Sequence, residues 1–159
     1  MNPLPDVATL VAVYNQMNQY GRLNGMALHV ATPGEVKYTM TVRAEHLSSP
    51  DTCHGGVLAG LMDSALGAAA LSLSFTTGEL VSTVEFKINY LHPVRLHDAL
   101  VATARVDHAG KTLVVVTGDI YCATREIVVA KGMGTFNRYP ADKRDFRKLL
   151  FPSADDEQE

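Results

Sequence analysis

Cysteine is scarce, and the two present suggest no shared chemistry. Cys53 and Cys122 are too few for a disulfide framework and form no C-x-x-C metal or redox pair. Positive charge is not in excess either: the net charge is −3, so nucleic acid is not an expected partner. No N-terminal stretch joins a basic region to an apolar core, so no signal peptide is read and the cytoplasm is the expected compartment. Internal repeats are lacking. One run, 57–75, approaches the length of a membrane span. Asp63 interrupts it, Ala, Gly and Ser fill much of it, and no Lys/Arg cluster or aromatic belt flanks it, so no membrane partner is expected. The remaining balance, 47 % hydrophobic and 19 % charged over 159 residues, is that of one globular domain.

What the chain does have is a long apolar stretch. Residues 54–74 open with His54, Gly55 and Gly56, contain no proline, and carry one charge, Asp63. Their Ala/Leu content and length predict a helix over about 56–74. A helix that is apolar nearly all round is expected to be buried. An ionised carboxylate there is costly unless paired, which makes Asp63 a candidate functional residue.

The flanking sequence predicts what surrounds this helix. Val7, Leu10, Val11, Tyr14 and Met17 recur at helical spacing, predicting an N-terminal amphipathic helix over 5–20, opened by Pro5 and stopped by Gly21. Residues 24–43 alternate as a β-hairpin about Pro33-Gly34, and 44–53 form a polar loop. Four extended runs follow: Leu80–Leu91, Ala99–Val106, Lys111–Cys122 and Ile127–Phe136, expected as meander-like antiparallel hairpins. Residues 138–159, ending in Asp155, Asp156, Glu157 and Glu159, are expected to form a charged, partly disordered tail. The order predicts an α+β domain over 1–137, a curved six-stranded antiparallel sheet wrapped around one central helix.

The helix start offers unpaired N–H groups and the positive end of the peptide dipoles. Gly55 and Gly56 have no side chain to hold a ligand away from them. Donors so placed suit an oxyanion hole, although glycines also serve simply to make a tight turn into a helix. Asp63 lies eight residues beyond Gly55, about 12 Å along the axis. One small reacting group cannot touch both in one subunit. Either the two features are unrelated, or the site is composite and Asp63 comes from a second subunit. Small residues near Asp63 on its helix face, among them Ala59, Gly60, Gly67 and Ala70, would let a partner or ligand approach. A carboxylate there suits a general base or a nucleophile; paired with Lys or Arg it would instead be structural.

His54-Gly55-Gly56 with Asp63 nine residues after the His, followed by Thr83-Val-Glu-Phe-Lys-Ile-Asn-Tyr-Leu-His-Pro and the Ala109–Leu113 turn, resembles the PaaI-like acyl-CoA thioesterases of the hotdog superfamily over about residues 22–137. The resemblance implies a hotdog fold, hydrolysis of an acyl-CoA thioester to free acid and coenzyme A, no cofactor or metal, and a homodimer assembling to a homotetramer. It implies that the Gly55 amide polarises the thioester carbonyl, that Asp63 of the neighbouring subunit is base or nucleophile, that Thr83 helps hold the attacking water, and that His54 shapes the loop. Coenzyme A would lie along Tyr90, His92, Pro93 and Arg95 and along His108, Gly110, Lys111 and Thr112, with Gly56 beside the thioester. Ser48 stands where some relatives have Asn or Gln, six residues before the His.

Plainer readings exist beside these. Thr83 also suits a strand as a β-branched residue. Arg95 and Lys111 also read as solvated surface charges, and His92 as a turn residue. Cys53 lacks any feature of an activated thiol. Two rival functions remain: a hotdog hydratase or dehydratase, for which the helix lacks a His, and an acyl-CoA-binding protein without turnover, which would have no use for Asp63.

Overall fold

The computed structural model describes residues 6–141. The first helix, α1 (Val7–Met17), starts at Asp6, whose side chain accepts the Thr9 N–H at 2.8 Å. The single N-terminal helix expected over 5–20 is in fact two. Asn18 ends α1, and its side chain accepts the Gly21 N–H at 2.9 Å to start α2 (Gln19–Leu23). An asparagine can cap the helix that follows it, so the periodic pattern continues while the backbone turns. Gly21 is therefore buried inside α2, and the chain leaves the helix at Asn24 and Gly25, the latter at φ +65°. Pro5, expected in the first turn, lies outside the described residues.

Strands β1 (Ala27–Thr32) and β2 (Glu35–Thr41) form the expected hairpin. Helix α3 (Gly55–Phe75) follows, then β3 (Glu79–Tyr90), β4 (Ala99–Ala109), β5 (Leu113–Cys122) and β6 (Ile127–Pro140). The sheet is antiparallel throughout, in the order β1-β2-β4-β5-β6-β3. Only β4, β5 and β6 form a meander; the expectation that β3 would pair with β4 is corrected. The helix carries the chain across the concave face, so β3 lands on the far edge against β6. The chain then returns along 91–98, where the Val94 carbonyl accepts the Cys53 N–H at 2.8 Å. Strand β6 runs three residues beyond Asn137, into the segment expected as tail. There the Arg138 guanidinium pairs with Glu79 and donates to the Gly110 carbonyl at 3.0 Å and the Thr77 hydroxyl at 2.8 Å. The tail proper, 142–159, lies outside the described residues.

The middle of the sheet face under α3 holds a patch of small residues: Ala102 and Ala104 on β4, Gly118 on β5, and Ala130, Gly132 and Gly134 on β6. Gly118 and Gly132 stand opposite each other in register. A Cβ on Gly132 would come within 2.7 Å of the Met62 sulfur, and one on Gly118 within 2.7 Å of the Thr103 carbonyl oxygen and 3.2 Å of Leu66 Cδ2. At these two glycines bulk comes from the helix, as Met62 and Leu66, both buried, and room comes from the sheet. Beneath the same glycines, on the outer face, Lys37, Thr103, Arg105, Asp119 and Lys131 border an open cavity of about 690 Å³.

Helix α3 is long and apolar enough to cross a membrane, with mean hydropathy 1.5 over its best window, and half of that window is buried inside the protein. It is not buried all round. Gly60, Asp63, Ser64, Gly67 and Leu71 form a partly exposed stripe. Tyr20 of α2 lies directly over Gly60, where a Cβ would overlap its hydroxyl.

Candidate active site

The start of α3 is made by His54. Its extended backbone (φ −64°, ψ 133°) leads into the helix, and its Nδ1 accepts the Gly56 N–H at 2.8 Å. A Cβ on Gly56 would sit 2.8 Å from that nitrogen, so the cap requires glycine there. With the Gly56 N–H taken, the Gly55 N–H is the free donor of the pair: it is the first helical residue and has no acceptor among the described residues. The Gly55 carbonyl accepts from the Tyr90 hydroxyl at 3.0 Å, tying the helix start to the end of β3. Gly55, Tyr90, His92 and Pro93, with Cys53, Leu58, Leu91 and Val94, line a cavity of about 330 Å³.

Asp63 sits elsewhere, two turns down the helix on the partly exposed stripe. Its Oδ1 accepts from the Thr83 hydroxyl at 3.1 Å. Among the described residues it has no Lys or Arg partner within ion-pair distance. Asp63 and Thr83 line a second cavity of about 300 Å³ with Tyr14, Ser64, Gly67, Leu71 and Phe136 among its walls.

The sequence-predicted residues therefore fall into two groups. Ser48, His54, Gly55, Gly56, Tyr90, His92, Pro93 and Arg95 gather at the α3 N-terminus. Asp63 and Thr83 stand toward the other end, and so does the turn carrying His108, Gly110, Lys111 and Thr112: Leu113 is level with Asn137, which is level with Ser82. Thr83 and Tyr90 are seven residues apart on β3, about 23 Å. About 12 Å apart along the axis, Gly55 and Asp63 of one subunit cannot both touch one small reacting group. The Ser48 hydroxyl turns into its own loop, toward the Thr52 carbonyl at 3.4 Å. Arg95, His108, Lys111 and Thr112 are exposed.

Cys53 is buried, and burial, with Asp98 nearby, pushes its thiol up to about 11, far from an active thiolate. Asp98 is buried as well. Burial pushes its carboxyl up, but the Arg95 N–H and the Arg125 guanidinium, each donating to Oδ2 at 2.9 Å, outweigh this and hold it below the usual range. This pair fixes the 91–98 return. No group of three His, Cys, Asp or Glu side chains suited to a metal occurs among the described residues.

Sequence reasoning assigned Tyr14, Phe136 and Leu71 no part in the site. The available signal was the run of small residues on α3, Gly60, Ser64 and Gly67, which asks what covers them; Tyr14 and Tyr20 do.

A single long helix held in a curved antiparallel sheet of this order, with an N–H donor at its start and a carboxylate midway, is a hotdog fold. The model of the thioesterase superfamily matches residues 51–129. Human acyl-coenzyme A thioesterase 13 is 33 % identical over 113 residues, spanning 71 % of this chain and 79 % of the relative. The structure of the PaaI protein from the E. coli phenylacetic acid degradation operon superposes with a TM-score of 0.74 at 30 % identity, covering 83 % of this chain and 93 % of that one. A hypothetical thioesterase of Streptococcus pneumoniae solved with coenzyme A gives a TM-score of 0.71 at 25 % identity, covering 80 % of this chain and 97 % of that one. The chain belongs to the thioesterase superfamily.

Proposed function

We propose that this protein hydrolyses acyl-CoA thioesters at a site shared by two subunits. The observation that carries the reading is the division of the site: an N–H donor at Gly55 and a carboxylate at Asp63, about 12 Å apart on one helix. Strand β3 supports the pairing. Its outer edge is unpaired within the subunit, and a long open edge is a ready template for a second copy. Two β3 edges meeting antiparallel about a two-fold axis would carry each subunit's Gly55 end toward its partner's Asp63 end. The thioester carbonyl then accepts from the Gly55 N–H of one subunit. Asp63 of the other, oriented by Thr83, activates water or attacks the carbonyl itself. As negative charge develops on the carbonyl oxygen, the Gly55 N–H and helix dipole stabilise it, and coenzyme A leaves as the thiol. The coenzyme would run from the 90–95 segment of one subunit to the 108–112 turn of its partner, with Arg95 and Lys111 as its cations. A cytoplasmic dimer of such dimers is the assembly that accords with this reading.

The test is complementation. Gly55→Pro and Asp63→Asn each abolish thiol release from a panel of acyl-CoAs. Mixed, unfolded together and refolded, they recover about a quarter of wild-type activity, because half the dimers are mixed and each holds one intact site. No recovery from two soluble, folded variants would refute the shared site. Binding of acyl-CoAs by the wild type with no turnover would favour the acyl-CoA-binding reading instead.

A further inference from the structure

The loop between β2 and α3 is pinned at both ends by one residue, His46. Its Nδ1 accepts the Arg43 N–H at 3.1 Å, at the loop's entrance, and its carbonyl accepts the His54 N–H at 2.8 Å, at the exit. Between these points the chain doubles back: Leu47 bridges Cys53, and the Ser48 N–H donates to the Thr52 carbonyl at 2.9 Å. His54 then caps α3 and presents Gly55 as the first helical residue. Tyr90 holds the Gly55 carbonyl from the β3 side; His46 is the anchor on the loop side. The residue is 2 % exposed. A neutral ring whose Nδ1 accepts carries its proton on Nε2. That Nε2 is buried and has no hydrogen-bond partner. A buried N–H without an acceptor costs free energy, so packing alone would favour an apolar side chain here. What the imidazole adds is the acceptor at Nδ1, and with it a group that can take up a proton.

We propose that His46 is a positioning residue that holds the Gly55 N–H in place for the thioester carbonyl while neutral and releases it when protonated, so that hydrolysis is switched off in acid. This rests on the thioesterase reading and adds a regulation to it. A proton on Nδ1 turns the acceptor into a donor facing the Arg43 N–H, and the hydrogen bond is lost. Burial opposes the new charge most, and the Arg43 guanidinium opposes it too; Glu45 is the one charged group favouring it. The charged ring gains by moving to water, and its backbone moves with it. The His46 carbonyl then leaves the His54 N–H, the cap on Gly56 loosens, and the Gly55 N–H is no longer aimed. The effect falls on kcat, because this donor acts on charge that develops in the transition state.

The experiment measures kcat and KM for thiol release from a panel of acyl-CoAs between about pH 5 and about pH 9. The wild type is expected to lose kcat as pH falls below about 6.5, with KM steady and far-UV circular dichroism showing the fold intact. His46→Asn keeps an acceptor where Nδ1 stands and cannot be protonated there; it is expected to move the acid limb to lower pH. His46→Phe fills the place of the ring without an acceptor and is expected to lower kcat about tenfold above pH 7, the range of one hydrogen bond, with KM unchanged. Ring nitrogen NMR of the wild type is expected to show the Nε2–H tautomer at neutral pH and a His46 midpoint on the acid limb of kcat. A wild type with no acid limb overturns the inference. So does a limb unmoved in His46→Asn, which leaves His54 and Asp63, the other titratable groups of the site, intact. If that variant does not fold, the NMR decides: a His46 midpoint more than about one pH unit from the limb overturns the inference. Those results leave the thioesterase reading standing. Absence of thiol release by the wild type from every acyl-CoA at every pH overturns both.

Discussion

Replacing Gly55 with proline isolates one atom of the proposed mechanism. Proline lacks the backbone N–H, and in most helical positions it also breaks a bond and clashes with the preceding turn. Gly55 is the first helical residue, where there is no intrahelical bond to lose and proline's fixed φ suits the helix. The preceding residue must be extended before a proline, and His54 already is, at φ −64° and ψ 133°. The nearest atom to an added Cβ is Tyr90 Cζ at 3.5 Å, an ordinary contact. Gly55→Pro is therefore expected to fold with stability within about 1 kcal/mol of wild type. Its kcat for thiol release should fall by about 10²–10³, the loss of roughly 2.7–4 kcal/mol from removing one oxyanion donor. Gly55→Ala keeps the N–H and should retain most activity. The assay is a steady-state thiol-release measurement alongside thermal melts of all three proteins. A Gly55→Pro protein that melts normally and turns over within threefold of wild type would refute the role of this N–H.

Thr83→Val keeps the shape of the side chain and removes the hydrogen bond to Asp63. It should lower kcat about tenfold, yet change nothing further in an Asp63→Asn background, since Thr83 acts through the carboxylate; an equal loss in both backgrounds in a double-mutant cycle would contradict this. His46 is buried, its Nδ1 accepts the Arg43 N–H at 3.1 Å, and burial, with Arg43 adding to it, pulls its pKa below the ordinary 6.5. The folded state thus prefers neutral His46, so its stabilisation is full above about pH 6.5 and declines as pH falls below that value; denaturant midpoints at pH 7.5 and 5.5 should converge in His46→Phe if this holds. Gly132→Ala should destabilise by about 1–3 kcal/mol through overpacking on Met62, visible as a lower melting temperature, and Met62→Ala should relieve part of it.

The central helix and its carboxylate were legible in the sequence because apolarity and a lone charge are local facts. The hairpin at 24–43 and the strand limits near 80, 99 and 127 were legible for the same reason, through alternation and turn residues. The position of β3 was not, since pairing with β6 rather than β4 depends on where the helix carries the chain. Asn18 was hidden because its cap interrupts the backbone without interrupting the apolar period. The pairing of Gly118 with Gly132 reads in sequence as two gaps in alternating strands, and only registration makes them a seat for Met62 and Leu66. At the site, the spacing of Gly55 and Asp63 sufficed to separate the two groups. The Asn18 amide, at the start of α2, also donates to the buried Tyr38 hydroxyl on β2 at 3.5 Å, and nothing local announces that contact.

At the Gly118–Gly132 pair the protein wall is a single peptide thick. Met62 presses on it from within, and Met62 is the neighbour of Asp63; the open cavity between Lys37, Arg105, Asp119 and Lys131 lies against it from without. No side chain separates the two faces of the sheet at this pair. Substitutions at Asp119 or Lys131, whose ion pair of 3.1 Å spans this spot, are thus changes at the back of the central helix, despite their lying on the surface.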